Sequence, residues 1–314
     1  MCALKRYQNP YIKNARRSLW DVILWQIGYY NDPNPPPPMP KDFSYPLPTP
    51  QHSFYTATWI NHSTYLLKMN AVHILTDPIW SARCSPLPFL GPKRQHPPPL
   101  SLENLPVIDY VLISHNHYDH LDAPTVDRLF RLFPDITWLV PKGLGNWFRK
   151  RKIIRYIECD WWESVSLQPG WRCTAVPAQH YSGRKGIDVN KSLWAGWVIE
   201  NGEKNCYFAG DTGYNPYDFQ AIGGAWKAMD LSLIPIGCYV PRKFMSPVHI
   251  EPKDAVRIHQ EVGSRLSLGT HWNTFRLSSE PKNRPPYDLF LAMQAAGLDP
   301  HTFLAPPPGY PISF

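Results

Sequence analysis

His115-Asn116-His117-Tyr118-Asp119-His120 places three imidazoles and a carboxylate within six residues, directly behind the apolar run Tyr110-Val111-Leu112-Ile113. A short apolar run of this kind reads as a buried strand, so the cluster is expected where a strand ends and a loop begins. Alternate residues of an extended segment point the same way, which lets His115 and His117 converge on one ion. Asp119 and His120, past the turn, are free to face a second ion beside it. Neutral imidazole with carboxylate suits zinc and its first-row neighbours. With the His and Asp frequencies of this chain, the pattern arises by chance in about one such chain in a thousand.

The 314 residues can hold one large domain or two small ones, and 43% hydrophobic residues suffice for a packed core. The 36 prolines cluster at 33–50, 86–99 and 281–286, stretches that read as extended connectors and surface loops. A formal charge of +7 favours anionic partners such as phosphates or an acidic membrane surface. Nucleic acid is not expected, because the chain has no helix-turn-helix, aromatic RNA-binding signature or dense basic stripe. The six cysteines (Cys2, Cys84, Cys159, Cys173, Cys206 and Cys238) never form a Cys-x-x-Cys pair. That spacing argues against a zinc ribbon or a disulfide scaffold and for reduced thiols in a cytoplasmic protein.

No segment offers the roughly 18 uninterrupted apolar residues of a transmembrane helix. The stretch Leu19 to Ile27 comes closest, but Asp21 interrupts it. Behind Lys13, Arg16 and Arg17, its Trp and Tyr residues can rest on a membrane interface, or the helix can pack on its own domain. Residues 1–50 therefore read as an appendage, an amphipathic helix of about 15 residues and a proline-rich strap. Residues 51–314 read as the main domain. It opens with a hairpin, Phe54 to Ile60 and Ser63 to Met69, and a third strand at Val72 to Thr76. Asp122 and Pro124 mark a helix start, and that helix runs through Phe133. Further strands are expected at 137–140, 173–176, 193–199, 206–209 and 231–236, with helices at 252–261 and 287–296. Strands interleaved with helices predict an α/β sandwich, sheets inside and helices outside.

Two ions need more ligands than one hexapeptide supplies. His180 follows Val176-Pro177-Ala178-Gln179, Asp211 ends Tyr207-Phe208-Ala209-Gly210, and His271 follows Leu266 to Thr270. Each stands just past a strand. In order and context this set resembles the metallo-β-lactamase superfamily. The resemblance implies a four-layer αββα sandwich with two zinc ions between the sheets, although Mn2+ or Fe2+ also suits such ligands. It assigns His115, His117 and His180 to one ion and Asp119, His120 and His271 to the other. Asp211 bridges them, and Asp77 supports the metal loop without ligating.

Leu75-Thr76-Asp77-Pro78-Ile79-Trp80, Gly91-Pro92-Lys93-Arg94, Asp160-Trp161-Trp162-Glu163, Pro235-Ile236-Gly237 and His271-Trp272 are similar to the family of N-acylphosphatidylethanolamine-hydrolysing phospholipases D. The similarity runs from about Thr56 to Phe275 and leaves 1–50 outside. Asn61 stands where that family usually has Gly, and Tyr181 where it has Trp. The resemblance implies hydrolysis of a phospholipid phosphodiester, peripheral membrane contact and a homodimer. It gives His249 a catalytic or substrate-contacting role beside Asp119, while a helix-capping histidine is the plain alternative. Trp161, Trp162 and the loop 239–245 can line a lipid channel or pack the core, and Arg242 and Lys243 can meet a phosphate. A hydrolase of a soluble lactone or phosphodiester, and a metal-stabilised scaffold without turnover, are the competing functions.

Overall fold

The computed structural model describes residues 6–13, 18–31, 38–51 and 53–314. Its strands are β1 (Tyr55–Asn61), β2 (Thr64–Met69), β3 (Val72–Thr76), β4 (Tyr110–Leu112), β5 (Thr137–Pro141), β6 (Tyr156–Cys159), β7 (Ser164–Gln168), β8 (Trp171–Val176), β9 (Gly196–Glu200), β10 (Asn205–Phe208), β11 (Met229–Pro235), β12 (Ser264–Thr270), β13 (Phe303–Leu304) and β14 (Pro311–Ser313). They form two seven-stranded mixed sheets, β14-β1-β2-β3-β4-β5-β6 and β13-β12-β11-β10-β9-β8-β7.

Helix α1 (Leu19–Gln26) lies in the N-terminal segment, and α2 (Ala123–Leu132) and α3 (Gly145–Arg149) cover the first sheet. Helix α4 (Pro216–Trp226), the single-turn α5 (Arg242–Met245), α6 (Pro252–Glu261) and α7 (Arg284–Ala295) follow in the second half, where α6 packs on β11 and β12. Period-two alternation builds the layers. Leu112 and Leu139 point into the core between the sheets, while Val111, Ile113, Trp138 and Val140 pack outward on Val126, Leu129 and Phe148. The result is the expected αββα sandwich.

Several local expectations differ. The N-terminal helix has eight residues, not about 15: a Ser18–Asp21 capping box opens it, Ile27 caps it, and Gly28 turns away at φ +82°. Residues 193–195 are not strand, because Leu193 N bonds Lys142 O and Ala195 N bonds Ser114 O, tying the chain to the first sheet's loops. Asp122 begins α2 but does not cap its backbone. Its carboxylate accepts from Ser81 N, Ser81 Oγ and Thr125 Oγ1 instead. Helix α4 was signalled by Asn215, whose side chain accepts from Asp218 N, with Pro216 behind it, but its weakly patterned Gly223-Gly224 segment hides it from periodicity.

The proline-rich strap packs onto the sandwich: Tyr45 is buried and donates to Phe303 O at 2.5 Å, and Phe43 meets Tyr287 and Phe290. Cys84, Cys159, Cys173, Cys206 and Cys238 are buried free thiols, while Cys2, Arg16 and Arg17 lie outside the described residues.

Candidate metal centre

The ends of four strands and one hairpin meet at one edge of the sandwich. β4 leads into His115, His117, Asp119 and His120, β8 into His180, β10 into Asp211, and β12 into His271. Gly210, at φ +63°, has a site for a Cβ only 2.6 Å from Ser114 Cβ, so only glycine lets β10 deliver Asp211 this close to the histidine loop.

Asp77, just past β3, organises that loop from beneath. Its carboxylate accepts from Ser114 N at 2.7 Å, Ser114 Oγ at 2.5 Å and His120 Nδ1 at 2.6 Å. Ser114 gives its only hydroxyl proton to Asp77, so its oxygen accepts from His115 Nδ1 at 2.9 Å. His180 Nδ1 likewise donates to Val248 O at 3.0 Å. Each of these bonds fixes a proton on Nδ1 and leaves Nε2 of His115, His120 and His180 as the ring atom free to face an ion.

Those Nε2 atoms face other polar atoms. His115 Nε2 lies 2.8 Å and His180 Nε2 3.2 Å from His117 Nδ1. Asp211 Oδ2 lies 3.1 Å from His271 Nε2, 3.2 Å from His120 Nε2 and 3.7 Å from His180 Nε2. Asp119 Oδ2 lies 3.4 Å from both His120 Nε2 and His271 Nε2. Despite these distances, His120 Nε2, His271 Nε2 and Asp211 Oδ1 are buried without an aligned hydrogen-bond partner. Buried polar atoms that crowd together without bonding one another converge on a shared point, as ligands do. Among the described residues, five groups have every donor atom within 4.8 Å of one another; two of them, His115, His117 and His180, and His62, Asp119, His120 and His271, share no residue, and Asp211 joins His180 and His249 in another. Neighbouring nitrogens about 3.3 Å apart are what a tetrahedral ion with ligand bonds of about 2.0–2.1 Å requires. The residues fit divalent metal ions.

The charge balance agrees. Burial drives His115 and His180 well below the usual imidazole pKa and His117 down to about 4, keeping all three neutral for ligation. Burial opposes charge on His120 and His271 too, but Asp211 and Asp119 overcome it, placing His120 well above the ordinary value and His271 at about 9. Burial alone would raise Asp119 and Asp211. The neighbouring His120, helped by His271, holds both carboxylates well below their usual range. Protons on His120 and His271 thus balance two buried carboxylates, the role that cations take over on binding.

All seven sequence-predicted ligand residues are therefore brought together, and His249 stands with them. Its Nδ1 is 3.9 Å from Asp211 Oδ2, its ring is 5.2 Å from His180 and 5.4 Å from His271, and its side chain is 14% exposed. Burial lowers its pKa to about 4. It precedes α6 without capping it; Glu251 does that.

His62 was not expected. It sits at φ +44° in the β1–β2 turn with Nε2 3.0 Å from Asp119 Oδ2. Its signal, a lone histidine between two strands, is indistinguishable in sequence from a surface turn. Arg242 does not face a phosphate: it pairs with Glu251 and Asp254 and donates to His249 O at 3.0 Å. Trp161 bonds Trp194 O and Trp162 lies over Trp226, so this pair packs around the β7–β9 edge.

A model of the β-lactamase superfamily domain matches residues 73–272. N-acyl-phosphatidylethanolamine-hydrolyzing phospholipase D 1 of Caenorhabditis elegans is 41% identical over 252 residues, 77% of this chain and 70% of the relative. The mitochondrial N-acyl-phosphatidylethanolamine-hydrolyzing phospholipase D of Saccharomyces cerevisiae is 35% identical over 76% of this chain, which spans 52% of that relative. The metallo hydrolase Igni18 of Ignicoccus hospitalis shares the fold at TM-score 0.63 and 22% identity, over 83% of this chain and 98% of its own. With the donor cluster at the strand ends, these likenesses make the chain a metal-dependent hydrolase of the β-lactamase superfamily, grouped by sequence with the N-acyl-phosphatidylethanolamine-hydrolyzing phospholipases D.

Proposed function

We propose that the protein is a dinuclear zinc phosphodiesterase of phospholipase D type, which hydrolyses N-acylphosphatidylethanolamine to N-acylethanolamine and phosphatidic acid. The observation that carries this reading is Asp211 Oδ2, which lies within 3.7 Å of Nε2 of His120, His180 and His271 and so adjoins both donor sets. The 41% identity to the worm phospholipase supports the choice of substrate.

His115, His117 and His180 would hold one ion, Asp119, His120 and His271 the other, and Asp211 both. Metal ions so bound activate a water towards neutral pH and neutralise charge on a phosphoryl group. Net hydrolysis adds the water oxygen to phosphorus, breaks the bond from phosphorus to the ethanolamine oxygen, and returns a proton to that oxygen. Burial keeps His249 neutral at neutral pH, and among the described residues its Nδ1 has no hydrogen-bond partner, with Asp211 Oδ2 3.9 Å away. From there it would donate a hydrogen bond to a phosphoryl oxygen or the departing alcohol. Arg242 holds the backbone of His249 in place, and Asp77 orients His115, through Ser114, and His120.

The test is mass spectrometry of products from metal-quantified protein and N-acylphosphatidylethanolamine in mixed micelles, with Asp211→Ala as the blank. Metal-dependent appearance of N-acylethanolamine and phosphatidic acid is the expected result. Full metal occupancy without product would overturn the lipid substrate and turn the search to soluble phosphodiesters and lactones.

A further inference from the structure

Past the end of β11, Gly237 and Cys238 run against the backbone of His271. A Cβ on Gly237 would stand 2.2 Å from His271 O, so only glycine lets the chain pass this close. Cys238 then takes φ +65°, a left-handed conformation that is uncommon for a residue with a Cβ and that clusters at functional sites. Glu280 holds it there. Its carboxylate accepts from Cys238 N at 2.6 Å, Tyr239 N at 3.3 Å and Val240 N at 3.0 Å. Glycine would adopt this conformation freely, so the backbone gains nothing from the sulfur.

The sulfur meets two histidines. One ligand atom each from Cys238, His249 and His271 lies within 4.8 Å of the others. The His271 side chain is 1% exposed and faces Asp119 and Asp211 with Nε2. Its Nδ1 is also buried and, among the described residues, has no hydrogen-bond partner. The Nδ1 atoms of His115, His120 and His180 are each bonded. His249 Nδ1 is a second buried nitrogen without a hydrogen-bond partner. Cys238 Sγ reaches Leu277 O at 3.9 Å, a weak contact. Cys238 and His271 also line a cavity of about 360 Å³, which gives a small cation a route to the thiol.

Buried nitrogens without partners beside a thiol call for an explanation. A thiolate with two imidazoles is the donor set of a thiophilic cation, softer than the imidazole and carboxylate sets next to it. Zinc bound to sulfur at about 2.3 Å and to nitrogen at about 2.0–2.1 Å holds the two donors roughly 3.5 Å apart. Small side-chain rotations close the three residues to that size. We propose that Cys238, His249 and His271 form a third metal site, beside the two donor sets described above, for a thiophilic divalent cation such as Zn2+ or Cd2+. Binding displaces the thiol proton and the remaining ring proton of His271 into solvent, so that one His271 nitrogen serves each neighbouring ion. A ligated His249 no longer reaches a phosphoryl oxygen, and the third ion therefore inhibits. The inhibition rests on the role given to His249 above; the binding does not.

Cobalt is the probe, because a thiolate on Co2+ gives a near-ultraviolet charge-transfer band that imidazole and carboxylate ligands do not. Full-length protein carrying Co2+ in both donor sets is titrated with further Co2+. The band should grow as the third ion binds, and hydrolysis of bis(p-nitrophenyl) phosphate should fall with the same midpoint. Cys238→Ala should lose the band and keep parental hydrolysis before the extra metal is added. It should also need at least about tenfold more metal to be inhibited, the effect of losing even an outer partner of a ligand. If Cys238→Ala does not fold, Cys238→Ser, which keeps the shape of the side chain, reads the same quantities. A parent without the band, or a band that survives in Cys238→Ala, overturns the site. A band that saturates while turnover holds overturns the inhibition. The band needs no turnover: a protein that shows it yet hydrolyses no phosphodiester keeps the third site and loses the phosphodiesterase reading.

Discussion

His62 Nε2 sits 3.0 Å from Asp119 Oδ2, and the two residues are 57 positions apart in the chain. Burial holds the His62 pKa near 3, so its ring is neutral and donates to the carboxylate. Without this bond Asp119 keeps, among the described residues, its contacts with His120 and His271. Outer partners of this kind typically carry 10–100-fold in metal affinity. His62→Ala should lower occupancy of the Asp119-His120-His271 set at least tenfold and leave the His115-His117-His180 set filled. Metal analysis after dialysis against graded chelator reads this directly, and an unchanged titration would refute it.

His249 touches the cluster from the side, 3.9 Å from Asp211. His249→Ala should keep parental metal content and lower turnover at least tenfold. If turnover matched the parent, the residue would have no part in the chemistry.

Asp77 is fully buried and accepts three hydrogen bonds, from Ser114 N, Ser114 Oγ and His120 Nδ1. Asp77→Ala strands those donors, a loss of about 3 kcal/mol. Urea unfolding of metal-stripped protein should show it, whereas Asp77→Asn, which retains an acceptor oxygen, should lose less. Equal midpoints for Asp77→Ala and the parent would mean that the loop is held by other contacts.

His259, on α6, is buried with Nδ1 2.8 Å from Ser267 Oγ, well away from the donors, and burial lowers its pKa to about 4. The unfolded chain takes up this proton near pH 6.5, the folded chain only near 4. The contribution to stability is therefore complete above pH 6.5 and is lost as pH falls through the window to about 4. Between pH 7.5 and pH 5 the cost is about 2 kcal/mol. Denaturant midpoints at the two pH values should converge in His259→Asn relative to the parent. An identical pH slope in both proteins would exclude His259 as the cause.

Most of the sandwich was legible in the chain because apolar alternation reports burial locally, as in β4 and β5, where successive residues serve two different cores. Strands with little apolar contrast were not. β7 has Ser164 and Ser166 exposed, and its hydrogen bonds to β8 are what make it a strand. Residues 193–195 are apolar enough for a strand but are captured by Lys142 and Ser114 across the site.

The sequence by itself named His115, His117, Asp119, His120, His180, Asp211 and His271 as candidate donors, because histidines and aspartates at successive strand ends can be read from residue type and periodicity. Only the tertiary structure decided what each donor does. It made Arg242 an anchor for His249 instead of a phosphate ligand, brought the turn residue His62 onto Asp119, and turned the eight-residue α1 so that Trp25 packs inward while Trp20 and Ile27 stay exposed. Those outcomes depend on distances between residues far apart in the chain, and local pattern carries no information about them.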